Sequence, residues 1–162
     1  MTGWHGLSRR ELLKRTAVLG AAATVPLRVA LVARQAAPLE GFVTLTASEA
    51  DTLEAIVARL IPTDEDGPGA TEARAASYID RALGGALASS RETYAEGLAA
   101  TDAYARASKG APFATLAPAD QDRILGEMEE GVATGFEPSS RSFFNLVRSH
   151  TIQGTFCDPY YG

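Results

Sequence analysis

Nowhere beyond Thr46 does this sequence sustain an alternation of apolar and polar residues. Its apolar residues recur three and four apart, in runs cut by Pro and Gly. That spacing gives a helix one apolar stripe and does not suit the two-sided period of a strand. The first run holds Ala50, Leu53, Ile56, Val57, Leu60 and Ile61. Thr46-Ala47-Ser48-Glu49 before it has capping-box spacing, and Pro62 stops it. A second helix is expected over about 71–83, with Ala73, Ala76, Ile79, Ala82 and Leu83 inward and Gly84-Gly85 as its end. A third over about 89–108 carries Tyr94, Leu98 and Ala105, and is broken by Gly110-Ala111-Pro112. A fourth over about 118–130 starts on Pro118 and buries Ile124, Leu125 and Met128. After a Gly-rich acidic bend, a fifth over about 139–154 turns Phe143, Phe144, Leu146, Val147 and Ile152 inward. The expected fold is all-α, a small irregular bundle of about five helices.

The chain begins differently. Ser8-Arg9-Arg10-Glu11-Leu12-Leu13-Lys14 is a twin-arginine export motif, with Ser8, Arg9, Arg10, Leu12, Leu13 and Lys14 as its recognisable positions. An Ala-rich apolar run of about a dozen residues follows before Arg28 interrupts it, against the roughly 20 that a membrane-spanning helix requires. This motif is read by the bacterial route that moves already folded proteins across the inner membrane. Such cargo usually carries a cofactor or travels bound to a protein that does. Leu31-Val32-Ala33 and Gln35-Ala36-Ala37 are imperfect cleavage sites. Residues 1–37 are read as signal peptide and linker, cleaved near Ala37 or left uncleaved, and 38–162 as a single helical domain.

Charge follows the same division. From Pro38 onward the chain has nine Lys and Arg against nineteen Asp and Glu, a net charge of −10. A surface this acidic argues against nucleic acid and anionic membrane as partners. The reactive inventory is thin. Beyond the leader there is one His, His150, one Cys, Cys157, and no Trp. A metal site of several Cys and His within one chain is excluded. There is no Cys-x-x-Cys-His haem attachment and no Gly-x-Gly-x-x-Gly after a strand. Asp64-Glu65-Asp66-Gly67 lacks the ligand spacing of a calcium loop and reads as a solvated acidic turn. No catalytic, cofactor-binding or metal-binding residue is assigned.

Two stretches carry a resemblance. The first is Leu60-Ile61-Pro62-Thr63-Asp64, then Gly67-Pro68-Gly69-Ala70 and Tyr78-Ile79-Asp80. The second runs Phe143-Phe144-x-Leu146-Val147-Arg148-x-His150-Thr151-Ile152-x-Gly154-x-Phe156-x-Asp158-Pro159-x-Tyr161-Gly162. With the leader, they resemble the gluconate 2-dehydrogenase subunit 3 family, the small or gamma subunits of periplasmic flavin-dependent sugar, sugar-acid and polyol dehydrogenases. Members usually continue past the Tyr-Gly pair with another Gly and an Asn, whereas this sequence stops at Gly162. The resemblance implies a periplasmic, non-catalytic subunit, membrane-associated if at all through its complex. Its partner would be a large flavoprotein of the glucose-methanol-choline class, which binds FAD and oxidises the substrate. A cytochrome c subunit often passes electrons onward. The small subunit would assist maturation of the large one and its twin-arginine export.

Within that frame Phe156, Cys157, Asp158, Pro159, Tyr160 and Tyr161 form an aromatic tail after the last helix, expected to dock on the large subunit. Cys157 is the candidate for an intersubunit disulfide, the alternative being a buried, inert thiol. His150 is expected to be hydrogen-bonded near a helix C-terminus, where an imidazolium suits the dipole. Asp64 is expected to cap its own turn, and Asp80 to pair at the surface with Arg74 or Arg81. Two other readings compete. One is a stand-alone exported enzyme using Asp64, Asp80 and His150. The other is a membrane-tethered interaction module that keeps its leader.

Overall fold

The structure, a computed structural model, describes residues 41–65 and 67–157. These residues form five α-helices and no strand: α1 Ala47–Leu60, α2 Ala75–Leu83, α3 Arg91–Lys109, α4 Pro118–Glu130 and α5 Ser140–Phe156. Single 3-10 turns at Ala88–Ser90 and Phe113–Thr115 precede α3 and α4.

Local signals set most of the ends. Thr46 Oγ1 accepts the Glu49 N–H at 3.4 Å, while Glu49 Oε2 accepts the Thr46 N–H at 2.8 Å, so the capping box forms. The same carboxylate takes Arg91 at 3.0 Å and joins the start of α1 to the start of α3. Pro118 opens α4, and Gly110 and Gly131 close α3 and α4 in the left-handed conformation.

The second helix starts four residues later than its apolar pattern predicts. Residues 70–73 make one helical turn, which Arg74 closes with φ 60° and ψ 36°. The Ala75 N–H bonds back to Ala70 O at 2.9 Å and the Arg74 N–H to Thr71 O at 3.0 Å, the pair of bonds of a Schellman stop. A side chain at positive φ costs about 1 kcal/mol relative to glycine. That is why nothing in this Ala-rich run announces the break.

α5 is the central strut. It packs along α2 and α4, with α1 and α3 also against it. Its inner stripe is Ser140, Phe143, Phe144, Val147, His150 and Thr151. Two glycines permit close helix approach. A Cβ on Gly97 of α3 would lie 2.3 Å from the Phe143 ring, and one on Gly154 of α5 would lie 3.0 Å from the Ala75 backbone of α2. Gly154 therefore acts as a contact rather than a stop, and α5 runs on to Phe156. Ile152, expected to face inward, is 44% exposed. Thr151 occupies the core-facing position, which turns its neighbour outward.

Asp80 corrects the sequence reading most sharply. It is 2% exposed rather than at the surface. Its Oδ1 accepts the N–H groups of Thr44 at 2.9 Å and Leu45 at 2.8 Å, and its Oδ2 accepts that of Val43 at 2.7 Å. Residues 43–45 form a bend whose successive amides converge on one carboxylate. This clamp pins the residues before α1 onto α2.

Candidate functional site

The loop after α1 returns to the far end of α5. Ala70 N–H reaches Ile61 O at 2.8 Å, which closes the loop upon itself. Gly69 sits where a Cβ would lie 2.5 Å from Thr63 N, so the two sides of the loop touch. Asp64 Oδ1 accepts the Gly67 N–H at 3.2 Å, in line with the turn-capping role expected of it. Between this loop and the last turn of α5 lies an open groove of about 440 Å³. Ile61, Pro62, Pro68 and Ala73 line one side, Thr155 and Phe156 the other, with Asp64 and Gly67 also on its wall. Phe156 is the last residue of α5, not part of an irregular tail, and is 69% exposed. Cys157 follows it as an exposed free thiol, so the buried-thiol alternative does not hold.

The two stretches singled out in the sequence thus meet at one edge of the bundle. The proline side of this groove was read only as a helix stop and a loop. Its signal was the pair Pro62 and Pro68, apolar residues in a segment with no helical stripe to bury them. The expected docking residues Asp158, Pro159, Tyr160 and Tyr161 lie outside the described residues, as do export-motif residues Ser8, Arg9, Arg10, Leu12, Leu13 and Lys14.

Asp64, Asp80 and His150 do not converge. Asp64 stands on the groove wall, Asp80 holds the amides before α1, and His150 faces α3 from within the core. A second, smaller cleft of about 150 Å³ lies between α1 and α3. Its two carboxylates are engaged: Glu49 with Arg91, and Asp102 with the Thr52 hydroxyl at 3.2 Å and the Phe113 N–H at 3.0 Å. Among the described residues, no group of three or more His, Cys, Asp or Glu is placed to hold a metal ion. None of their helices is long and apolar enough to cross a membrane.

The family model of gluconate 2-dehydrogenase subunit 3 matches residues 47–162, from the start of α1 onward. The chain belongs to that family. No curated protein and no solved structure matches the chain. Membership makes this subunit 3 chain an accessory member of a dehydrogenase complex, in keeping with the resemblance read from its two motifs.

In this subunit 3 chain His150 is a core residue. Its Nδ1 lies 3.0 Å from the Tyr94 hydroxyl, and the two rings stack with 5.8 Å between centroids and 7° between planes. Burial pushes the imidazole below its usual pKa and the Tyr94 phenol above its own. A neutral imidazole suits this site, so the dipole argument for an imidazolium does not apply. A test follows from the sign of the shift. The unfolded chain takes up a proton at His150 near pH 6.5, and the folded chain only at lower pH. This contribution to stability is complete above about pH 6.5 and is lost as the pH falls, by at most about 1.4 kcal/mol per pH unit. Arg59 holds the Asp122 carboxyl, and the Tyr104 hydroxyl holds that of Glu127, below the usual carboxylate range. Their losses therefore come at lower pH. Urea midpoints between pH 7.5 and 5.5 should fall in the parent chain and stay flatter in His150→Gln. Equal slopes in the two would refute the assignment.

Proposed function

We propose that this chain is the small, non-catalytic subunit of a periplasmic FAD-dependent dehydrogenase complex, and that it escorts the large flavoprotein through assembly and twin-arginine export. The observation that carries this reading is the family match across all five helices. The twin-arginine motif at residues 8–14 supports the export role, since that route accepts folded cargo. FAD and the residues that oxidise a sugar, sugar acid or polyol belong, in this reading, to the large subunit. A cytochrome c subunit is the further expected member of the assembly.

The exposed edge at the end of α5 supports a docking role. Phe156 is a large aromatic side chain left in solvent beside a groove, the kind of anchor that interfaces bury. Asp158, Pro159, Tyr160 and Tyr161 follow in the sequence, and the exposed Cys157 thiol is the group for a cross-link to the large subunit. Co-expression with a large flavoprotein subunit, with only this chain tagged, tests the reading. The expected eluate contains both chains in equal amounts and shows flavin absorbance, and a non-reducing gel of it reports on Cys157. A colourless chain eluting alone, together with a flavoprotein fully active without it, would overturn the proposal.

A further inference from the structure

We infer that Arg74 is a hinge between two arrangements of one wall of the groove. One is the bent turn described above. In the other, residues 71–74 join α2 as a further turn and carry Ala73 out of the wall. The hinge belongs to the chain alone and holds whatever docks at the groove.

Sequence preference and structure disagree at residue 74. Glu72, Ala73, Arg74, Ala75 and Ala76 are all good helix formers, and the apolar stripe of α2 runs back unbroken to Ala73. Neither glycine nor proline occurs between Ala70 and Leu83, and Arg74 provides no side-chain cap for α2. Local preference therefore favours a helix that passes straight through residue 74. Instead Arg74 stands at φ 60° and ψ 36°, the only non-glycine residue with positive φ among the described residues. Glycine takes this conformation freely, whereas a β-carbon opposes it. The bent turn is thus held against local preference by its surroundings. Strained residues of this kind gather where a segment has two arrangements close in energy.

The surroundings that hold it are few. The Ala70 N–H bonds to Ile61 O at 2.8 Å, the Gly69 N–H to Thr63 Oγ1 at 3.1 Å, and the Thr63 hydroxyl to the Glu72 carboxylate. Straightening breaks these but keeps the bonds across residue 74. The Ala75 N–H passes from Ala70 O to Thr71 O, and the Arg74 N–H from Thr71 O to Ala70 O. The side chain withdrawn from the core is a single alanine, Ala70. α2 itself stays in place, because Ala75 packs closely on Gly154 of α5. The loop has length to spare. Its nine residues 61–69 reach about 30 Å when extended, whereas four residues added to a helix move its end by about 6 Å. Ala73 faces Thr155 and Phe156 across the groove, so the groove is complete only in the bent arrangement. A partner that fills it selects that arrangement.

The test is NMR relaxation dispersion at the backbone amides of residues 70–75 in the full chain, compared among the parent, Arg74→Gly and Arg74→Ala. Both variants lose the contacts of the Arg74 side chain alike, so they differ only in the backbone they favour. Glycine suits the left-handed bend and weakens a helix interior, and alanine does the reverse. Relative to alanine, glycine is expected to shift the ratio of bent to straight by about 30-fold toward bent. In the parent the straight form is expected at about 1–10% of molecules, visible as exchange on the millisecond scale. That exchange should flatten in Arg74→Gly and grow in Arg74→Ala, with minor-state Cα shifts at residue 74 of a right-handed helix. Flat profiles in both the parent and the alanine variant, or profiles of equal size in the two variants, would overturn the hinge. If Arg74→Ala fails to fold, the parent against Arg74→Gly decides: exchange lost in glycine supports the hinge, and exchange undiminished there refutes it.

Discussion

Replacing Asp80 by alanine is expected to lower the unfolding free energy by about 3 kcal/mol. The estimate comes from the three amides that lose their acceptor. The Leu45 N–H is buried, so its unmet bond costs about 1–3 kcal/mol. The Val43 and Thr44 amides are part-buried, so water replaces part of what they lose and each adds about 0.5–1 kcal/mol. Asp80→Asn separates this account from a packing effect. The amide side chain has nearly the same shape and keeps one oxygen. Placed at Oδ1, that oxygen retains the bonds to Thr44 and Leu45 and loses only the one to Val43. Its expected cost is about 1 kcal/mol. Urea unfolding gives the totals, and amide hydrogen exchange at residues 43–45 gives the place. Equal losses for the two variants, or an alanine variant within 0.5 kcal/mol of the parent by the roughly 0.5 kcal/mol spread of ordinary surface changes, would show that the clamp does not hold the fold together.

The second large effect is expected at Gly97. On helix propensity alone, Gly97→Ala in the middle of α3 should stabilise the chain by about 1 kcal/mol. Packing reverses the sign. The added methyl would lie 2.3 Å from the Phe143 ring, where carbons prefer about 3.5–4.0 Å. Phe143 has little room to yield. Tyr94 meets it edge-on at 5.9 Å and Phe136 lies at 6.1 Å, and all three side chains are buried. Overpacking of this kind typically costs about 1–3 kcal/mol, so after the roughly 1 kcal/mol gained in helix propensity a net loss of about 1 kcal/mol is expected. Phe143→Leu by itself should also destabilise the chain, because it leaves a void beside Tyr94. Combined with Gly97→Ala the void accepts the methyl, and the double variant should be clearly more stable than the sum of the two single losses. Additive losses would mean that the two residues do not share one space.

What the sequence disclosed and what it hid divide by the range of the interactions. α1 and α4 were legible because their boundaries are local: a hydroxyl and a carboxylate three residues apart, and a proline followed thirteen residues later by a left-handed glycine. Arg74 was not, because its left-handed conformation is forced by the loop packed before it and leaves no trace in residue type. Gly154 was misread as an end, because a glycine that clears space for another helix looks the same in sequence as one that terminates its own. Asp80 was the hardest. A carboxylate on a short helix reads as surface, and its partners are backbone amides 35 to 37 residues earlier that carry no distinguishing side chain. At the candidate site the sequence singled out the aromatic residues after Gly154, but not that Phe156 closes α5. The wall facing it was not legible, since a groove exists only once two distant segments have met.

The Asp80 clamp also determines which changes can accumulate unnoticed at the start of the domain. It grips nitrogen-bound hydrogens, which nearly every amino acid supplies alike, so it is blind to what those residues otherwise are. Val43 shows the freedom this allows: its side chain is 78% exposed while its amide is held at 2.7 Å. At that position the fold asks for a backbone donor and little else, and proline, which has none, is the one residue the clamp refuses. Substitutions there can drift in size, charge or polarity without loosening the join, so a comparison of side chains at residue 43 would understate how firmly that part of the backbone is fixed.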